Sequence, residues 1–325
     1  MKKKFKIFAL ITSLISAAIF LIHLINRLLL YISTANGFLH DLKGDYYDWR
    51  FGSLYYEKHG KGSPILLVHD MTASSSSYEW HNLVDELSKT HTVYVLDLLG
   101  CGRSDKPNLA YTRFLYVQMI TDFIKHNISA SCDVMACGTS SSFVLAAAAN
   151  DSDVIKQIIL INPESIVELA KIPTKKTKAL RLLINTPIVG TFLYSMFHST
   201  HSIGNEFRNY YFSNARNVKD CDIACYCEAA HLEKMHSKYL FSSIIGRYVN
   251  LNILPFVEKI DNSIFIVVGD NLLDGLNIAE QYKEFIPSAE IIRLEKSKHL
   301  PHLENPALFL SQLNFILETE KHANT

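Results

Sequence analysis

The stretch Asp133 to Phe143 reads DVMACGTSSSF, and the chain runs on from it through VLAAAAN to Asn150. A short apolar run passes without a linker into Gly138-Thr139-Ser140-Ser141-Ser142 and then into an alanine-rich segment. The first part has the composition of a buried strand and the last that of a buried helix. The chain therefore turns sharply between them across small residues. Gly138 to Ser142 is G-x-S-x-S, one residue from the G-x-S-x-G turn that presents a nucleophile at the end of a strand. A helix starting here aims backbone N–H groups at any anion beside Ser140. A serine run also caps helices, so the stretch alone leaves both readings open.

Outward from this turn, strands and helices alternate. Tyr46–Gly60 reads as two short strands, and Pro64–His69 (PILLVH) and Thr92–Leu98 (TVYVLDL) as buried strands. Trp80–Lys89 and Thr112–Ile128 read as helices, and Ile155–Ile161 (IKQIILI) as another strand. Continuous apolar runs separated by helices predict an α/β fold, a mostly parallel sheet covered on both faces. The rhythm stops after Asn162-Pro163. From Glu164 to Glu258 only helical pieces are expected, notably Ala179–Phe197 around Thr186-Pro187, and Asp220–Ile245. It resumes with Ile264–Val268, Asn277–Ile286, Glu290–Leu294 and Pro306–Glu318. The expected division is an α/β core over 45–163 and 259–320, with a helical cap over 164–258.

The chain resembles the α/β-hydrolase fold superfamily in its capped branch, with serine-nucleophile, esterase- or lipase-like character. The likeness rests on PILLVHDMTASSSSYEWHNLVDELS, YVLDLLGCGRSDKP, the GTSSS turn and KHLPHLENP, and covers about 45–320. It implies Ser140 as nucleophile, His299 as its base, and the N–H groups of Met71 and Ser141 as oxyanion donors. It implies a structural or cap-facing role for His302. Three departures stand out. Asp70 replaces the glycine of the family's His-Gly loop and sets a carboxylate beside the oxyanion hole. Ser142 replaces the second glycine of the turn. The acid is displaced: Leu272 stands where the family has Asp, with Asp270 two residues early and Asp274 two late. Asp270, Asp274 and Glu164 all stay open as partners of His299.

Relatives that open epoxides or displace halide carry Asp at the turn. Ser140 instead directs the expectation to esters, thioesters, lactones or related acyl compounds. The expected activity is that of a membrane-anchored serine hydrolase on a small or lipid-like acyl substrate, without a cofactor. The rival is a degenerate hydrolase fold used for binding or scaffolding, which Asp70, Ser142 and the missing acid favour. Cys221 and Cys225 share one helical face while Cys227 and His231 lie about 200° away at 100° per residue, so they do not converge on a tetrahedral metal. No metal site is expected.

The 325 residues carry 32 basic and 32 acidic side chains, with 48% apolar content. This excludes a disordered chain, and the absence of a basic excess speaks against nucleic acid as partner. The balance hides an uneven start. Lys2, Lys3, Lys4, Lys6 and Arg27 are the only charged residues before position 33, and without them 27 basic residues face 32 acidic. Ile7–Ile25 is free of charge and, at 1.5 Å per residue, spans about the ~30 Å hydrocarbon core. A basic cytoplasmic stub over 1–6, a transmembrane signal anchor over 7–32 and an extracytoplasmic domain follow from the positive-inside rule.

Overall fold

The computed structural model describes residues 2–40 and 43–323, so Met1 of the basic stub lies outside it. A single sheet of eight strands organises the chain: β1 (Asp45–Trp49), β2 (Gly52–His59), β3 (Ser63–Val68), β4 (His91–Leu96), β5 (Cys132–Cys137), β6 (Ile155–Ile161), β7 (Ser263–Gly269) and β8 (Glu290–Leu294). Their order is β1-β2-β4-β3-β5-β6-β7-β8. The first two pairings, β1 with β2 and β2 with β4, are antiparallel, and all the others are parallel.

The parallel strands are apolar on both sides because both faces are covered. Leu66, Val68, Val134, Ala136, Ile158 and Leu160 point into one buried cluster. Their alternating neighbours Ile65, Leu67, Met135, Cys137, Ile159 and Ile161 point into the other. The expected strands are all present to within a few residues. The turn between β1 and β2 falls at Arg50-Phe51, immediately before Gly52, which opens β2.

Fourteen helices accompany the sheet among the described residues. α1 (Lys2–Thr34) precedes it; α2 (His81–Leu87), α3 (Arg113–Phe123) and α4 (Ser140–Asn150) connect its first strands. Between β6 and β7 come helices only: α5 (Ile166–Leu169), α6 (Lys175–Asn185), α7 (Ile188–Phe197), α8 (Thr200–Glu206), α9 (Asp220–Met235), α10 (Lys238–Ile245) and α11 (Leu254–Val257). The chain closes with α12 (Gly275–Phe285), α13 (Pro301–Glu304) and α14 (Pro306–Ala323). α6 and α7 meet at 105°, at Thr186-Pro187, where proline cannot continue the helical hydrogen bonding. The parallel strands β3, β5 and β6 all run in one direction, so the loops after Val68, Cys137, Ile161 and Gly269 open on one edge of the sheet.

Candidate active site

β5 ends at Cys137, and Gly138 takes φ +54° before α4 begins at Ser140. Two demands make glycine necessary here. The left-handed backbone is costly for other residues. A Cβ on Gly138 would also lie 2.1 Å from Asp70 Oδ1 and 2.4 Å from its Cγ. The carboxylate of Asp70 fills the space that a side chain at position 138 would take.

The strained turn therefore sits two residues before Ser140, and its small flanking residues are Ala136 and Ser140. Ser140 is fully buried and donates its hydroxyl to the His69 carbonyl at 2.7 Å. Ser141 and Ser142 likewise donate to Ala136 O and Thr139 O, at 3.3 and 2.8 Å. The structure does not bring Ser140 to His299. The reason is register: three consecutive serines follow the turn, and the helical ones satisfy nearby backbone carbonyls.

The Asp70 carboxylate fills the place expected for an oxyanion. Its Oδ1 accepts the N–H of Met71 at 2.7 Å and that of Thr139 at 3.0 Å, and its Oδ2 lies 2.8 Å from His299 Nε2. The N–H of Met71, expected as an oxyanion donor, thus points at the Asp70 carboxylate. That of Ser141 does not, because it is turned to Gly138 O at 3.2 Å; the second N–H on the carboxylate is that of Thr139, the residue after the strained one. Burial would raise the Asp70 carboxyl, but the hydrogen bond and charge of His299 and the two N–H donors outweigh it and hold the group below its ordinary value. The loop is locked from behind. Asp70 N–H donates to Glu79 Oε1 at 3.2 Å. His69 Nε2 accepts Leu98 N–H at 3.1 Å, which leaves its Nδ1–H to donate to Asp70 O at 2.7 Å.

His299 lies between β8 and α13, anchored by Asn162, whose Nδ2 donates to Lys298 O and His299 O at 2.8 and 2.9 Å. Tyr210 and Tyr211 flank the imidazole at centroid distances of 4.7 and 5.7 Å. Burial would lower the imidazole's pKa, but the bond to Asp70 and the negative charge beside it raise it overall. Its Nδ1 is buried without a hydrogen-bond partner, so none of the three expected acids orients it. Asp270 is exposed and closes a backbone bond to Leu294 O. Asp274 is exposed at the start of α12 in a left-handed conformation. Both belong to the loop leading away from β7. Glu164 is half-buried with Oε1 on Ser165 N–H at 2.7 Å; it acts on His299 through its charge without bonding it.

His302 lies under the site rather than toward the inserted helices. Its ring stacks on Trp80 at 4.4 Å, with Nε2 3.3 Å from Glu79 Oε1. Glu79, Cys137 and His302 place donor atoms within 4.8 Å of one another, all fully buried. Burial pushes the Cys137 thiol well up, which keeps it protonated and a poor metal ligand. Glu79 is already engaged by Asp70 N–H and by the Tyr226 hydroxyl at 3.1 Å. This donor set serves as packing beneath the Asp70 loop. Above the site, a recess of about 260 Å³ is lined by Met71, Thr139, Glu164, Leu169, Ile244 and Arg247, among others.

The residues missed in the sequence are Thr139, Asn162 and, as a site residue, Asp70. Asp70 was visible as an odd carboxylate. The signal that would have placed it is the glycine at the turn, which leaves a vacant side-chain slot facing the loop after β3.

The profile described as "Alpha/beta hydrolase family" matches residues 65–312. The chain belongs to the α/β-hydrolase family. It is 26% identical over 114 residues, 34% of this chain and 39% of the relative, to a 2-hydroxy-6-oxo-6-(2'-aminophenyl)hexa-2,4-dienoic acid hydrolase of Metapseudomonas resinovorans. It is 27% identical over 157 residues, 47% of this chain and 48% of the relative, to a cis-3-alkyl-4-alkyloxetan-2-one decarboxylase of Shewanella oneidensis. The matches thus span half or less of these curated relatives. The fold is also that of the enol-lactonase of Burkholderia xenovorans, with TM-score 0.67 and 16% identity over 84% of this chain and all of that one.

Proposed function

We propose that this α/β-hydrolase-family protein is a hydrolase whose nucleophile is Asp70, with His299 as proton donor and then base, acting on a compact substrate with a strained C–O ring, an epoxide or small lactone. The observation that carries this reading is the Asp70 carboxylate itself, held by both oxyanion N–H groups on one oxygen and by His299 on the other. Met71 and Thr139 fix Oδ1, so Oδ2 is the atom left to attack a saturated ring carbon. The C–O bond breaks, and the departing oxygen takes the proton from the His299 imidazolium. The product is an alkyl ester of Asp70. Esterification removes the charge that raised the imidazole, so His299 is then neutral. It takes a proton from water attacking Cγ, and charge developing on Oδ1 is met by the two N–H groups already in place. Collapse frees the alcohol, restores the carboxylate and leaves His299 protonated. No separate acid is required, which agrees with the unpaired Nδ1. The 260 Å³ recess suits a small substrate. One relative is named for an oxetan-2-one, itself a four-membered lactone.

In the same reading α1 anchors the chain in a membrane. It is 33 residues long, and its most apolar window has a mean hydropathy of 2.4 with no buried residue.

The test uses styrene oxide and β-butyrolactone with the wild type, quenched in acid during turnover, and with Asp70→Asn. The quenched wild type carries a substrate adduct on the peptide containing Asp70, seen by mass spectrometry, Asp70→Asn neither forms it nor turns over, and Ser140→Ala turns over normally. Absence of an adduct, or loss of turnover in Ser140→Ala together with fluorophosphonate labelling of wild-type Ser140, would overturn the Asp70 mechanism.

A further inference from the structure

The last turns of α1 do not stand free. Asn26 donates its Nδ2 to Ile188 O at 2.9 Å, at the first residue of α7. Leu29 and Leu30 pack against a cluster of Ala73, Tyr194, Ala230 and Met235. This contact fixes a height. The uncharged stretch Ile7–Ile25 is about 28 Å long at 1.5 Å per residue, so a helix spanning the membrane along it delivers Asn26 to the bilayer surface. The corner between α6 and α7 is pinned to that level.

The corner has the composition such a position calls for. Leu180, Leu182 and Leu183 on α6 and Val189 on α7 are exposed, Leu182 by 68%. α6 reads KKTKALRLLIN, with four cations and no acidic residue. Basic residues flanking exposed leucines on a short helix are the pattern of a helix lying in a lipid interface. Beside the corner is a recess of about 390 Å³, lined by His23, Asn26, Arg27, Pro187, Thr191 and Lys234, among others. Arg27 and Lys234 are both exposed, and among the described residues no carboxylate pairs with either. Asn26 is 7% exposed, and its Oδ1 has no hydrogen-bond partner. The recess thus offers two cations and one unused buried acceptor.

We infer that the α6–α7 corner sits in the headgroup layer of a bilayer, and that the recess between α1, α7 and the end of α9 holds an anionic phospholipid headgroup bearing a hydroxyl, of the phosphatidylglycerol type. The phosphate lies against Arg27 and Lys234, a headgroup hydroxyl donates to Asn26 Oδ1, and the α6 lysines face neighbouring anionic lipids. This rests on the reading of α1 as a membrane helix and adds a second, reversible attachment with its own chemistry.

The full-length chain is reconstituted into vesicles of brominated phosphatidylcholine, with and without phosphatidylglycerol, with one added tryptophan as probe and the wild type as baseline. Leu14→Trp reports on α1 and Leu182→Trp on the corner. Both are expected to be quenched, and quenching at Leu182→Trp is expected to deepen with phosphatidylglycerol. Adding Lys175→Glu, Lys176→Glu and Lys178→Glu, or Arg27→Ala with Lys234→Ala, removes that dependence and leaves Leu14→Trp unchanged. Quenching at Leu14→Trp without quenching at Leu182→Trp would overturn the corner while leaving the anchor intact. Indifference of Leu182→Trp to phosphatidylglycerol would overturn the headgroup site. No quenching at Leu14→Trp would remove the anchor and this inference with it.

Discussion

At the scale of single residues, the site depends on an exchange between positions 138 and 70. Glycine at 138 gives up a side chain, and Asp70 supplies one to the same space from the loop after β3. Gly138→Ser alone should be destabilising. The left-handed backbone costs about 1–2 kcal/mol, and the new Cβ displaces a carboxylate that would have been 2.1 Å away. Pairing it with Asp70→Gly relieves the contact. The double variant is expected to recover much of the lost stability in urea denaturation and to become reactive to a fluorophosphonate, because a hydroxyl then faces His299 and a vacated oxyanion hole. Ser140→Ala should do neither. It removes one hydrogen bond, worth about 1 kcal/mol, and leaves His299 untouched. The same exchange explains which residues were legible. His299 and Met71 could be placed from the sequence because their loops carry motif residues on both sides. The nucleophile register could not, since Ala136, Gly138, Ser140 and Ser142 are all small and only the backbone shows which of them bears the strain. The acid was sought after β7 because the motif places it there; the carboxylate that bonds His299 comes from the loop after β3, 229 residues away in the chain.

At the scale of elements, the loop after β4 secures the loop after β3. Asp97 is fully buried; its Oδ1 accepts Ser77 N–H at 2.5 Å and its Oδ2 accepts Arg103 N–H at 2.7 Å. Arg103 Nε lies 3.4 Å from the same carboxylate, and its other arm reaches Glu57 Oε1 at 3.0 Å. Burial would raise Asp97, but the charge of Arg103 and the backbone N–H donors of Arg103 and Ser77 hold it below its ordinary value. Its folded pKa lies below its unfolded one, so its contribution is present above the unfolded value, near 3.9, and is lost as pH falls through the folded value. Removing this carboxylate leaves Arg103 buried with less than its full complement of partners. Asp97→Ala is therefore expected to cost about 3–5 kcal/mol, read as a lower urea midpoint at neutral pH. That difference should shrink in acid, as the wild type loses its own charge. The LLGCGRSDKP stretch that marks the family is thus structural: it holds the walls of the site and contributes no reacting group. The sequence announced it clearly because a buried ion pair and a glycine-rich turn both need particular residues at particular places.

At the scale of the whole molecule, two couplings tie the site to its surroundings. The first is ionic. Asp70 is lowered and His299 raised, so the carboxylate's contribution is lost as pH falls through its folded value, and the imidazolium's as pH rises through its own. The pair is intact between these limits, and the proposed first step needs it intact. kcat/KM for ring opening should be level across mildly acid and neutral pH and fall on an alkaline limb lying above the ordinary histidine value of about 6.5. A limb rising through neutrality would instead mean that neutral His299 is the reactive form in the free enzyme. The second coupling is mechanical. Leu29 and Leu30 of α1 join the cluster that includes Ala73, two residues beyond Met71 on the loop that carries Asp70, the proposed nucleophile. The portion of α1 before Ile22 is exposed throughout its described length, whereas Asn26 is buried. Deleting residues 1–20 should therefore leave thermal stability and the alkaline limb unchanged once the domain is in solution. Deleting residues 1–34 uncovers Tyr194 and Met235 and frees the flank of the Met71 loop. That truncation is expected to lower Tm, by roughly 2–4 °C for each kcal/mol lost. It is also expected to move the alkaline limb back toward the ordinary histidine value, because a looser Asp70 raises its neighbour less. Equal pH profiles for the two truncations would show that α1 holds the protein in place without shaping its chemistry.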